Sequence, residues 1–395
     1  MERARCVQVV KVNNNPNRWI QWDGLDRLLP LINWVDGQAV IFSNASSCII
    51  HVGPATPELR LAPLLRLVAN PNLRKVWVKP FSSSSHPYCS IQDANEALSV
   101  VHDAQGPNSR LEWLSIFPET TEHAPQLRTT LLSKIAPVAS HLTHCTLSAW
   151  ALSITALEVL ARAPLMRLEV QGRFATESGD LSLAPTLQLP ENAFGLLQSL
   201  LVSYVPVEPV CQLVATPRIL ANIQALRIEV SPLDDLFIDE DEMYNRILTR
   251  VIERTPRLLT LCLISSRNED SEGYLVGAQV IEALIAKRLD VLRLYRFKLE
   301  GLGFSRLLPG VAEWENLCHL AIMHQDLTPQ DLSCLSILPN LSELSGNISW
   351  PLGKSEALPI ANGFAKWLDL ASQFRFGTKY RAIPNYERVV MRICK

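Results

Sequence analysis

Residues 256–264 read Pro256-Arg257-Leu258-Leu259-Thr260-Leu261-Cys262-Leu263-Ile264. Leu258, Leu261 and Leu263 mark a fixed spacing: apolar, two variable, apolar, one variable, apolar. The last two points alternate with their neighbours. That is the period of a strand with one buried and one open face. The leading Leu turns the chain in toward the strand. Pro256 marks the return from a helix, because proline cannot continue one and biases the residue before it to extended geometry.

The same spacing recurs in both directions. Upstream it appears as Leu73-Val76-Val78, Leu111-Leu114-Ile116, Leu142-Cys145-Leu147, Leu165-Leu168-Val170, Leu197-Leu200-Val202 and Ile223-Leu226-Ile228. Downstream it appears as Leu289-Leu292-Leu294 and Leu317-Leu320-Ile322, then as a degraded copy at Leu341-Leu344. The starts lie 23 to 38 residues apart. Their mean of about 30 is close to the range of leucine-rich repeats. Pro71, Pro164 and Pro339 punctuate other repeats as Pro256 does. Segments of helical period lie between the strands. Met243, Ile247, Leu248, Val251 and Ile252 form one stripe; Val276, Val280, Ile281, Leu284 and Ile285 form another. Thr328-Pro329 reads as a helix cap with proline at the first helical position.

One strand and one helix cannot bury their own apolar faces, but a stack of ten such pairs builds a continuous core. The predicted fold is therefore α/β: a leucine-rich-repeat solenoid, or horseshoe, with a parallel concave sheet, convex helices and irregular repeats. A compact α/β domain also alternates helices and strands. It does not need the same leucine spacing ten times. The expected organisation is an N-terminal cap with degenerate repeats over 1–70, a solenoid of about ten repeats over 71–348, and a C-terminal cap over 349–395. In the first cap, Cys6 to Val12 and Cys48 to Val52 predict strands, and Gly24 to Val35 and Pro57 to Ala69 predict helices. Ser82 to Ser85 reads as a short loop. Ala371 to Lys395 holds no Leu but carries Phe374, Phe376, Tyr380 and Tyr386, suited to covering the end of a core.

Composition agrees. The 395 residues include 62 Leu, all between Leu25 and Leu370, and 48% of the chain is hydrophobic against 19% charged. That excludes disorder, since enough apolar surface can be buried to offset the ordering entropy. Lys and Arg number 37 against 39 acidic residues, a net charge of −2. A general nucleic-acid binder needs a basic excess, so no nucleic-acid partner is expected. Met1 to Arg5 leads into a mixed stretch without the apolar block of a secretory signal. Nine scattered cysteines with no C-x-x-C read as reduced thiols, which points to an intracellular location, cytoplasmic or nuclear. The sequons at Asn44, Asn340 and Asn347 carry little weight without a secretory route. Ile135 to Leu157 is free of Asp, Glu, Lys and Arg, but it contains Pro137, His141 and His144. It reads as helix end, strand and helix start, so no membrane partner is expected.

Over roughly residues 60–350 the irregular leucine pattern resembles the leucine-rich-repeat region of fungal F-box-type proteins. The resemblance implies a horseshoe that selects a substrate for a cullin ubiquitin ligase, with an amino-terminal F-box docking a Skp-type adaptor. No F-box is legible here. Leu28-Leu29-Pro30-Leu31-Ile32 is the nearest fragment, so the adaptor contact lacks its docking module. Many leucine-rich repeats also place Asn five residues after the second apolar point. Here those positions hold Phe81, Glu119, Trp150, Arg173, Val205, Ser231, Ser266, Phe297 and Gln325. Without an asparagine ladder, the backbone turns must be satisfied differently.

Strand residues between the buried points face the concave side. Among them are Lys75, Trp77 and Lys79; Trp113, Ser115 and Phe117; His144, Thr146 and Ser148; Arg167, Glu169 and Gln171; and Ser199, Leu201 and Ser203. The later repeats supply Ala225, Arg227 and Glu229; Thr260, Cys262 and Ile264; Val291, Arg293 and Tyr295; and His319, Ala321 and Met323. Trp, Tyr and Arg dominate binding hot spots. The candidate partner-binding residues are therefore Trp77, Trp113, Arg167, Glu169, Arg227, Arg293, Tyr295 and His319. Replacing Arg227 and Arg293 with Glu is expected to spare folding and abolish binding.

No catalytic residue, metal ligand or cofactor is predicted. Gly346 to Ser355 has the look of a phosphate loop, but six residues separate Gly346 from Gly353 and Trp350-Pro351 would disturb the nest of N–H groups. Asn268 to Gly273 opens like a calcium loop whose twelfth position is Gln279 rather than Glu. The carboxylates from Asp234 to Glu242 suit a helix amino-terminus, with a basic partner as the alternative. His141 and His144 lack neighbouring ligands and read as structural. The expected function is a protein–protein interaction solenoid, an F-box-like substrate-recognition subunit of a ubiquitin ligase. A scaffold unconnected to ligases is the alternative, and an enzyme with an unrecognised site is the next.

Overall fold

The structure, a computed structural model, describes residues 7–14, 42, 44–52, 61–79, 89–106, 109–117, 125–172, 189–231, 240–265, 273–299, 314–328, 331, 334–335, 338–348, 375–380 and 389–394. All ten spaced triplets give strands. In the first nine, all three apolar points are at most 3% exposed. In the degraded copy Leu344 is buried while Leu341 stays half-buried.

The chain forms two compact units, Met1–Ile219 and Leu220–Lys395. The first holds seven strands: β1 (Val9–Asn14), β2 (Ser47–Val52), β3 (Lys75–Lys79), β4 (Trp113–Ser115), β5 (His144–Ser148), β6 (Arg167–Gln171) and β7 (Ser199–Val205). They pair in sequence order and in parallel. The connections include α1 (Leu61–Val68), α2 (Ile91–Gln105), α3 (Pro125–Ala139) and α4 (Ile154–Leu160), and α5 (Val207–Ala215) follows β7. Each of α1 to α3 packs on the next helix. Right-handed parallel crossovers place such helices on one face of a sheet. The opposite face carries the strand positions that alternate with the core.

The second unit repeats the plan with β8 (Ala225–Val230), α6 (Glu240–Arg254), β9 (Thr260–Ser265), β10 (Tyr274–Val276), α7 (Ala278–Ile285), β11 (Val291–Tyr295), β12 (Phe297–Leu299), β13 (His319–Leu327) and β14 (Glu343–Ile348). Strands β8, β9, β11, β13 and β14 run parallel in that order. At the end, β15 (Arg375–Tyr380) and β16 (Val389–Cys394) form an antiparallel pair, with β16 beside β14. Each unit is thus an α/β leucine-rich-repeat stack.

The missing asparagine ladder is replaced by backbone. One carbonyl just before each strand accepts two N–H groups from the following repeat. In the first unit Arg74 O accepts from Glu112 and Trp113, Glu112 O from Thr143 and His144, and Thr143 O from Met166 and Arg167. In the second, Leu259 O accepts from Asp290 and Val291, and Asp290 O from Cys318 and His319. These bonds are 2.8 to 3.1 Å long, so the entry to each strand is satisfied without any particular side chain. The leading apolar residue closes a turn just upstream. Leu73 N–H donates to Asn70 O at 3.1 Å and Leu258 N–H to Thr255 O at 3.3 Å. Pro71 and Pro256 occupy the second position of these turns, where their fixed φ fits.

Side chains add ties between repeats. The Asp93 carboxylate on α2 accepts from the Leu61 and Ala62 N–H groups at 2.6 and 3.1 Å, capping α1 of the previous repeat. Asn245 Oδ1 on α6 accepts from Gly277 N–H at 2.8 Å, at the start of α7. Thr328 and Asp331 form a reciprocal capping box: Asp331 N–H donates to Thr328 Oγ1 at 3.2 Å, and Thr328 N–H to Asp331 Oδ2 at 2.9 Å.

Some expectations are redrawn. The Met243 to Ile252 stripe is buried on α6, and Val280 to Ile285 on α7, but Val276 belongs to β10. The small parallel β10–β12 sheet was not legible in the sequence. It holds an aromatic cluster in which Phe297 meets Tyr244 edge-on at 5.1 Å. Ile135 to Leu157 does run through the end of α3, β5 and the start of α4. Among the described residues no helix is long and apolar enough to cross a membrane. Burial pushes the Cys48 and Cys145 thiols up to about 12. The expected helix over Gly24 to Val35, the Ser82 to Ser85 loop, Phe374, Tyr386, most of the glycine loop after Gly346, and the acidic residues Asp234 to Asp239 lie outside the described residues.

Candidate partner-binding face

The strand positions that alternate with the core place side chains on the open face of each sheet. All eight candidate residues stand there half-buried: Trp77, Trp113, Arg167 and Glu169 in the first unit, and Arg227, Arg293, Tyr295 and His319 in the second. The face is narrower than the alternation alone predicts. Ser115, Phe117, Ser148, Gln171, Ser203, Glu229, Cys262 and Ala321 are buried. Ser115 is held by donating to Val78 O at 3.1 Å. The accessible part is the first row and a subset of the second, with Tyr295 in the third.

In the first unit the register aligns Lys75, Trp113, His144 and Arg167 across β3 to β6. The Lys75 ammonium sits 3.7 Å from the centre of the Trp113 ring and 4.3 Å from that of Trp77. Those distances are well inside cation–π range. The two indoles are 5.4 Å apart. His144 stacks on Trp113 at 4.3 Å with the rings 5° from parallel. Thr143 Oγ1 donates to Glu112 O at 3.0 Å and lies 3.0 Å from His144 Nδ1. Burial, then Arg167, then Lys75 lower the His144 pKa, and burial lowers that of Lys75. Arg167 Nη2 lies 3.5 Å from Glu169 Oε2, and Glu169 also accepts from Gln171.

In the second unit one row aligns Arg227, Cys262 and Arg293, and another aligns Val291, His319 and Glu343. Arg227 Nη2 is 3.2 Å from Glu229 Oε2, whose side chain is only 8% exposed. Glu343 Oε2 accepts from His319 Nδ1–H at 2.9 Å and lies 3.7 Å from Arg293 Nη2. Burial raises the Cys262 and Tyr295 pKa values, and the neighbouring arginines oppose the rise. Cys262 is a covered thiol between two guanidinium groups rather than a contact surface.

Sequence reasoning brought Trp77 with Trp113, Arg167 with Glu169, and Arg293 with His319 into the right neighbourhoods. It passed over Lys75, which joins the two indoles, and Glu343, which joins Arg293 to His319. Glu343 was legible: it stands two residues after Leu341, where the degraded repeat continues the open-face register. Among the described residues no three His, Cys, Asp or Glu side chains converge as a metal site. His141 lines a shallow groove with Arg74, Arg110 and Glu112 at the strand entries.

No protein-family model matches the chain, and no curated protein matches it. Among solved structures it is similar to an internalin from Listeria monocytogenes at 11% identity, over 88% of this chain and 84% of that one, with a TM-score of 0.37.

Proposed function

We propose that this chain is a protein-binding repeat module, and that the open face of its sheets takes the partner. One observation carries the reading: on each unit the uncovered rows concentrate half-buried Trp, Tyr and Arg side chains held in place by their neighbours. Pre-organised aromatic and guanidinium groups lose little conformational freedom on contact, and they are the types that anchor protein interfaces. Service as the substrate-recognition subunit of a ubiquitin ligase is the finer form of this reading. It rests on the likeness of the irregular repeats to those of F-box-type proteins. A scaffold role needs the same face and no ligase.

The test is comparative affinity capture from the source cells. The unaltered chain is compared with a Trp77→Ala/Arg293→Gln variant and with a helix-side control, Glu158→Gln on α4. Proteins retained by the chain and the control but lost with the face variant support the reading. An unchanged set of captured proteins overturns it. Enrichment of a Skp-type adaptor or a cullin above background supports the ligase form, and their absence leaves the scaffold form. Glutamine replaces the glutamate suggested by sequence alone. Arg227→Glu would set a second carboxylate against the buried Glu229 and unbalance folding as well as binding.

A further inference from the structure

We infer that the open face of the first unit binds an acidic segment of a partner protein, with two carboxylates spaced to meet Lys75 and Arg167. This rests on the reading of that face as a partner-binding surface and names the chemistry it selects.

Charge is the first argument. The chain as a whole carries −2, yet among the described residues the open positions of this face set two cations, Lys75 and Arg167 in one row, against one carboxylate, Glu169 in the next. Glu169 is matched to Arg167. The Lys75 ammonium makes its contacts with two indole rings and, among the described residues, has no carboxylate partner. An ammonium drawn partly out of water over aromatic rings, with no counter-ion, gains most from an incoming carboxylate.

Pre-organisation is the second. Lys75, Trp113, His144 and Arg167 stand in one register row, and the first three are locked in a stack with centroid distances of 3.7 and 4.3 Å. The stack holds the lysine still, so little rotamer freedom remains to be lost on binding. His144 stands in the row between the two cations, and burial and those cations lower its pKa, so it competes little with them for a carboxylate.

Geometry limits the ligand. The backbone positions of Lys75 and Arg167 lie three strand spacings apart, about 14 Å at about 4.8 Å per spacing, and the Lys75 ammonium leans toward Arg167 to sit over Trp113. An extended peptide covers the full backbone span in about four residues. Side chains an even number apart leave the same side of the peptide. The occupant is therefore an extended segment with Asp or Glu at positions two or four apart, crossing the strands over Trp113.

The experiment pans the immobilised full chain against displayed 12-residue peptides of random sequence. The expected bound pool is at least threefold richer in Asp and Glu than the input, with pairs two or four apart over-represented. A peptide from that pool should bind roughly tenfold more weakly to Lys75→Gln and to Arg167→Gln, while both variants keep the circular dichroism spectrum and melting temperature of the unaltered chain. Raising the salt from about 50 to 500 mM should weaken it similarly. A bound pool without acidic bias, or affinity indifferent to Lys75, overturns the acidic-segment inference but leaves open-face protein binding standing. Recovery of no peptide overturns both. Displacement of the peptide by a single-stranded oligonucleotide would assign the cations to phosphate and also overturn the inference.

Discussion

Leu261 is 1% exposed and sits at the second apolar point of the repeat that reads most clearly in the sequence. Leu261→Ala removes packed atoms from a site walled by strands on both sides, and the cavity should cost roughly 2–5 kcal/mol. A denaturant titration reads this as a lower midpoint at constant slope, and an unchanged midpoint would contradict the burial. His144 behaves differently. Burial, Arg167 and Lys75 hold its folded pKa below the usual 6.5, so the unfolded chain takes up protons first as pH falls. The contribution of this group is fully present above 6.5 and is lost as pH drops through the interval down to the folded value. An NMR titration should give His144 a midpoint below 6.5, and His144→Gln should flatten part of the fall in melting temperature between about pH 7 and 5. A midpoint above 6.5 would contradict the arrangement of Lys75 and Arg167 around the ring.

Helices in this fold are finished by their neighbours. Ser90 caps α2, with its Oγ accepting from Asp93 N–H at 3.0 Å, and Asp93 in turn caps α1. Ser90→Ala should therefore cost about 1 kcal/mol through the local cap. It should also loosen the amides of Leu61 and Ala62, since the carboxylate that receives them loses its anchor. Hydrogen exchange confined to the first turn of α2, with Leu61 and Ala62 unaffected, would show that the two caps are independent. Strands are finished in another way. The carbonyls before β4, β5, β6, β9 and β11 each accept two backbone N–H groups, whatever side chains stand there. The repeats can therefore vary from 23 to 38 residues and lack a fixed Asn while keeping one register. The sequence shows the strands because their alternation is local. It hides the Asp93 cap and the β10–β12 sheet because these join residues about 20 to 30 positions apart, whose types carry no periodic signal.

For the whole chain, stability is a matter of neighbours. In a stack each repeat is held chiefly by the repeats on either side, so damage should spread by adjacency within a unit. Leu168→Ala, at a fully buried point of β6, should reduce amide protection in β5 and β7 more than in β2 and β3. Uniform loss of protection across the first unit would instead indicate a single cooperative block. The α/β class, the core leucines and the strand positions that alternate with them were all determined by the sequence, because periodicity and alternation are properties of short stretches. Only the tertiary structure decided which open-face residues remain reachable, that Phe117, Cys262 and Glu229 are covered, that Lys75 sits over two neighbouring indoles, and that Glu343 bridges Arg293 and His319. These depend on register between strands some 24 to 38 residues apart in sequence. Hydrogen bonding and packing across the sheet set that register, and no single segment contains it.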